Sequence, residues 1–526
     1  MGFMRKLTLA VRATTRRDFL RRALAAAGVL ATTRLERAAA GAEVTPDPEE
    51  RKRIEAAIPA KAVVTPRKHR KLLIFDLNVG YGGHGSIRTA NLAFTLMGDK
   101  TGAFETVISR DPSVFRPESL RQFDAVFFNN TVGNCFEDPA LRQSLLEFVY
   151  GGGGLMGVHG TSVAFTKWPG AIEDWPEFGI MLGARGANHR ANDEHVFIKL
   201  DDPTHPVNQA FGGQGFDYRD EFFRVHEPYS RSRVRVLLSI DAEKTDLNQG
   251  PAYGKLERAD NDYALAWVRQ YGRGRIFYCG FAHHPSVFWD PKMLQFYLAA
   301  AQFALGDLPA PTTPSARLTP VGRAQERLGW RLGLVPPADN KLTLFETIDR
   351  AAKLGLLYVG GSHRQIVSGD ISKSLDGQLN DDEMRQIRLK LEAAGVRLLT
   401  YHVENMPSDE AGCRRVFQFG RKMGVEAIVT EPTTDTSDVV KRICEEYGIS
   451  HAIPAARVPC DRPALFQIPP ITDPANNEKI TLLLREVHSL GVKPVMFSIE
   501  SPQEETEAGA RQSIRCFYNV SMRLAK

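Results

Sequence analysis

Lys71-Leu72-Leu73-Ile74-Phe75-Asp76 is followed by the glycine-rich stretch Gly80–Gly85. Four apolar residues in a row do not alternate, so the run reads as a strand covered on both faces, as in a parallel sheet flanked by helices. Downstream, Ile87–Met97 has helical texture, Phe104–Ser109 and Asp124–Asn129 read as strands, and Ala140–Tyr150 reads as a helix. Gly151–Gly154 then leads into the strand Leu155–Val158. This alternation predicts an open, helix-flanked α/β sheet. The segment 165–260, rich in Trp, His, Asp and Gly, reads as irregular. Tyr263–Val268 and Gly274–Cys279 return to strand patterning, and the helix Lys292–Leu305 closes the domain.

The chain has 526 residues, which at roughly 150 per domain predicts two to four domains. With 43% hydrophobic and 25% charged residues it has the composition of an ordinary folded protein. Much of the formal charge of +5 sits at the N-terminus, where residues 1–42 carry nine Lys/Arg against Asp18 and Glu36. The remaining body is close to neutral, which argues against sequence-independent nucleic-acid binding. Thr15-Arg16-Arg17-Asp18-Phe19-Leu20-Arg21, the run Ala23–Ala31 and the small residues Ala38–Ala42 resemble a twin-arginine export signal over 1–42. That resemblance implies a periplasmic or secreted protein that crosses the membrane already folded. The apolar run is shorter than the ~20 residues a membrane span needs, so no stable span is expected in the mature chain. Residues 43–70 read as a leader. The cysteines Cys135, Cys279, Cys413, Cys444, Cys460 and Cys516 show no CxxC spacing and read as buried thiols.

Four segments of 71–307 together resemble the ThuA-like (trehalose utilisation) family, related in fold to class I glutamine amidotransferases. They are Gly83-His84-Gly85-Ser86-Ile87, Gly151 to His159-Gly160, Asp220-Glu221-Phe222-Phe223, and Ala266 to Tyr278 leading into His283. The resemblance implies a flavodoxin-like or glutamine amidotransferase-like open parallel sheet and a carbohydrate as small-molecule partner. Independently, His84, His159 and His283 each follow a predicted strand, and loops leaving strand C-termini converge on the ligand crevice of such sheets. Gly157-Val158-His159-Gly160 occupies the turn where an amidotransferase carries its cysteine, so amidotransferase chemistry should be absent. An imidazole there suits either acid/base work or metal ligation. Glu221 is either a pocket carboxylate or half of a surface pair with Asp220. The expected catalytic set is thus His84, His159, Glu221 and His283. His189 and His195 read as solvated loop histidines, His205 as part of a turn, and His284 as pointing away from the pocket. Tyr81, Trp168, Trp175 and Trp289 serve either as sugar platforms or as core.

Pro309-Ala310-Pro311-Thr312-Thr313-Pro314 marks a linker within 308–328. From 329 to 526 six shorter βα units suggest an incomplete (β/α) TIM-barrel-like domain. Trp330 to Leu334, Glu426 to Pro432 and Phe497-Ser498-Ile499-Glu500 resemble the xylose isomerase-like sugar-phosphate isomerase and epimerase family. That resemblance implies a divalent metal held by Glu431 and Glu500 at strand ends. After Ile453, however, the chain reads Pro454-Ala455-Ala456-Arg457, without the expected histidines, and the interval to Lys479 is too short for two βα units. Two strands therefore count as missing. Three functions follow as expectations: sugar processing in the first-domain pocket, metal-dependent sugar isomerisation in the barrel, or carbohydrate binding without catalysis.

Overall fold

The structure is a computed structural model that describes residues 47–168, 172–337, 341–431, 437–455, 463–471, 474–500 and 507–526. The export signal expected over 1–42 lies outside the described residues, as does Cys460.

Lys71–Phe75 forms strand β1, followed by Glu105–Ser109 (β2), Ala125–Asn129 (β3) and Gly154–Val158 (β4). Leu72 and Ile74 pack with Phe94 and Phe127 on one face; Leu73 and Phe75 pack with Phe115 and Phe128 on the other. Each such buried side chain stabilises the fold by about 1.5–3 kcal/mol. Helices Ile87–Thr101 (α1) and Pro139–Tyr150 (α2) cover opposite faces, and Pro291–Leu305 (α3) starts on the Asp290 carboxylate, which accepts from the N–H groups of Lys292 and Met293.

Five further strands complete this sheet: Glu194–Leu200 (β5), Phe216–Asp220 (β6), Arg235–Ile240 (β7), Ala264–Tyr271 (β8) and Gly274–Cys279 (β9). Their order is β2-β1-β3-β4-β9-β8-β7-β5-β6. The first five run parallel as expected, and every pairing from β9 to β6 is antiparallel. The segment read as irregular therefore supplies three strands. On β6 the exposed Asp217 and Arg219 alternate with Phe216 and Tyr218, a period-two signal that the reading of the segment passed over. Each antiparallel step reverses direction, so β6 again points the same way as β1, β4 and β9. Four loops thereby leave one edge of the sheet.

The second domain closes into a barrel of seven parallel strands: Leu332–Val335 (β10), Tyr358–Ser362 (β11), Arg397–His402 (β12), Ala427–Val429 (β13), Ser450–Ala455 (β14), Ala464–Gln467 (β15) and Met496–Glu500 (β16). β16 pairs with β10 from Phe497 opposite Leu332 to Glu500 opposite Val335, which seals the ring. The reading of two missing strands is corrected by β15. The short interval after Arg457 holds one strand rather than two, and β15 pairs directly with β14 from Ala464 opposite Ile453. The barrel helices begin on side-chain caps that the sequence spells out, Thr343 with Glu346 and Asn380 with Glu383.

The two domains are pinned together. The backbone of Ser315, just past the proline-rich linker, donates to the Val234 carbonyl at 3.0 Å. Arg331 and Arg397, at the N-terminal ends of barrel strands, flank Glu426 at 2.5 and 2.8 Å. Arg397 also donates to Gln270 Oε1 at 2.6 Å and to the Gly272 carbonyl at 3.1 Å, so the β8–β9 hairpin covers the barrel's N-terminal face.

Candidate functional site

The site begins at a strained turn. β4 ends at Val158, and His159 adopts φ +41°, a conformation that costs a non-glycine residue energy. Small neighbours allow the bend: a Cβ on Gly157 would meet Thr161 Cγ2 at 2.8 Å, and one on Gly160 would meet His84 Cε1 at 3.1 Å. The imidazole is fully buried and stacks on Phe223 with ring centroids 4.2 Å apart. Its Nδ1 lies 3.0 Å from the Gly280 carbonyl, and a carbonyl only accepts, so Nδ1 carries a proton and Nε2 faces the pocket.

The loops after β1, β4, β6 and β9 bring the four expected residues together. Glu221 Oε1 lies 3.2 Å from His159 Nε2 and 3.5 Å from His283 Nδ1. The His84 ring centroid is 4.8 Å from that of His159 and 5.3 Å from that of His283. One ligand atom from each of His84, His159, Glu221 and His283 lies within 4.8 Å of all the others. His84 Nδ1, His159 Nε2 and His283 Nδ1 are buried without a hydrogen-bond partner. Burial, together with the neighbouring His159 and His283, pulls His84 down to about 2, so it stays neutral. Burial alone would raise Glu221 and lower His283. His159 and His283 outweigh it at Glu221, holding that carboxyl well below its usual range, and Glu221 in turn holds His283 above its own.

Two buried residues tie these loops to one another. Asn130, at φ +55°, donates to the Ala282 carbonyl at 3.0 Å and to Ser86 Oγ at 3.2 Å, while its Oδ1 accepts from Gly160 N–H at 3.0 Å. Asp220 accepts from the N–H groups of Ala282, His283 and His284 at 2.9, 3.3 and 3.0 Å. Each of the four loops is thereby held within two residues of His84, His159, Glu221 or His283. The sequence reading missed Asn130, although its place directly after β3 is the same kind of signal that located His159.

It also misplaced His189. That imidazole is not solvated: Nδ1 lies 3.1 Å from Glu221 Oε2 and 2.6 Å from the Arg190 carbonyl, and the ring stacks on Tyr253 at 5.1 Å. His195 forms an exposed pair with Asp217. His205 accepts from the Val207 N–H within a turn, and His284 Nε2 reaches the Asn192 carbonyl rather than the pocket. Of the aromatic residues, Tyr81 lies 5.1 Å from His84 and 5.5 Å from Trp168, at the pocket. Trp175 is core, and Trp289 packs under Arg53.

In the barrel, Glu431 and Glu500 line a cavity of about 470 Å³ at the C-terminal mouth, together with His363, His402 and Glu404. Among the described residues the only tight set of three or more ligating groups is the first-domain quartet. The two glutamates therefore share a cavity without completing a ligand set there. Burial lowers His402 in the same mouth to about 4. No helix among the described residues is long and apolar enough to cross a membrane.

Residues 71–304 match the model of the ThuA family, described as trehalose utilisation. Among solved structures the chain is similar to a ThuA-like protein from Bacteroides uniformis at 21% identity, covering 46% of this chain and 92% of that one with a TM-score of 0.38. It is also similar to a ThuA-like protein from Parabacteroides merdae at 18% identity, covering 46% and 92% with a TM-score of 0.34. A xylose isomerase domain containing protein from Salmonella typhimurium is 13% identical, covering 36% of this chain and 97% of that one with a TM-score of 0.25. No curated protein matches the chain.

Proposed function

With a ThuA domain over residues 71–304 as the premise, we propose that this is an exported protein that binds or processes a sugar or sugar derivative in the first-domain pocket. The observation that carries the reading is the meeting of three imidazoles and one carboxylate at the carboxyl edge of the sheet, where ligands of such folds bind. Glutamine amidotransferase activity is not part of the reading. The turn that would present a thiol presents His159, and burial pushes Cys135 and Cys279 up to about 12, so neither offers a thiolate. The Gly280 carbonyl fixes which nitrogen of His159 faces a ligand. His283 and His189, each about one-fifth exposed, form the accessible side of the pocket. Tyr81 and Trp168 offer apolar rims to the CH face of a sugar ring, and the twin-arginine-like residues 16 and 17 support export.

The test is a thermal-shift screen of sugars and oxidised sugars on the full chain, since a ligand bound only by the folded state raises the melting temperature. A shift present in the native protein and lost in His159→Ala is expected. Sugar shifts that survive that substitution count against the pocket, and no shift with any sugar counts against the substrate class.

A further inference from the structure

We infer that His84, His159, Glu221 and His283 together bind one divalent transition-metal ion, a reading that rests on the pocket being the functional site. A buried polar atom without a partner costs about 1–3 kcal/mol, and this pocket holds three imidazole nitrogens in that state within one small volume. A neutral His159, with its proton on Nδ1, would turn a lone pair toward a carboxylate oxygen 3.2 Å away, two acceptors facing each other. One extra proton on His159 would relieve that pair and leave His84 and His283 as they are. A cation at the common centre takes up all four at once.

The spacing fits. Ligand atoms about 2.0–2.2 Å from one ion lie about 3.5 Å apart in a tetrahedron and at most about 4.4 Å apart when trans; here all lie within 4.8 Å, so side-chain shifts of up to about an ångström close the set. Glu221 Oε1 faces His159 and His283. Oε2 is engaged by His189 Nδ1, the outer-shell contact that orients a ligating carboxylate. The Gly280 carbonyl does the same for His159. Three imidazoles with a single carboxylate suit zinc, iron, cobalt, nickel or manganese better than magnesium or calcium, which favour all-oxygen sites. When bound, such an ion would polarise a sugar carbonyl or hydroxyl; the chain's own contribution is to hold the set preformed.

The experiment uses the full chain, stripped with a chelator, checked for folding by circular dichroism and titrated with Co²⁺. Roughly one ion per chain is expected, with a visible absorption band, and Zn²⁺ should displace it. His283→Ala and Glu221→Gln should each weaken Co²⁺ binding at least about tenfold; His283 is partly exposed, so that variant guards against misfolding at buried His159. No band in folded native protein, or a band unmoved by both substitutions, overturns the inference. Running the sugar screen with and without Co²⁺ separates the two ideas. Metal bound with no sugar shift in either state sinks the carbohydrate reading alone, whereas sugar shifts without any metal sink the metal centre alone.

Discussion

His159 Nε2 stands 3.2 Å from Glu221 Oε1, and the same carboxylate reaches His283 and His189. Glu221 is therefore the electrostatic centre of the pocket. Its charge keeps His283 above the ordinary histidine value against the pull of burial. In chelator-treated protein, Glu221→Gln should lower the His283 titration midpoint, followed through its ring proton resonances. A midpoint that stays put would mean the carboxylate does not govern that ring.

The neutral His84 makes stability depend on pH. Its folded value near 2 lies below its ordinary 6.5, so the unfolded chain takes up the extra proton. Stability is complete above pH 6.5 and declines as the pH falls below it, by up to about 1.4 kcal/mol per pH unit. Glu221, also depressed, adds a loss only as the pH falls through the carboxylate range. His283 is raised and acts in the opposite sense, its contribution being lost as the pH rises through its folded value. Melting of metal-free protein from roughly pH 7 down to 5 should show the decline, and His84→Asn should flatten it.

Asn130→Asp keeps an acceptor for Gly160 but loses the amide donor and sets an oxygen against the Ala282 carbonyl. The expected cost is about 1–3 kcal/mol in denaturant unfolding, together with weaker Co²⁺ binding, because the His159, His283 and His84 loops lose their common tie. Unfolding at wild-type denaturant concentration would remove Asn130 from this role.

The barrel offers the rival site. If its mouth binds the sugar, the double substitution Glu431→Gln and Glu500→Gln abolishes the thermal shift while His159→Ala spares it. We expect the reverse, because among the described residues the tight set of ligating groups is the first-domain quartet.

Much of the pocket could be read from the chain because its residues sit one to nine positions beyond apolar runs that can only be buried strands. His84, His159 and His283 follow β1, β4 and β9, and the sheet itself brings them together. His189 escaped because its partner Glu221 is 32 positions away and follows a strand inside the segment read as irregular. β15 escaped because Ala464-Leu465-Phe466-Gln467 is four residues long and stands only nine positions beyond Ala455, too close for a complete βα unit.

The β8–β9 hairpin has one more effect. It caps the end of the barrel where Arg331, Arg397 and Glu426 lie, while Glu431 and Glu500 open at the other end. The histidine pocket stands at the far end of β9 from the hairpin turn, roughly 20 Å of strand away. The two cavities thus face outward from opposite poles of the junction. A compound entering one cavity therefore approaches from the side of the junction opposite to the other.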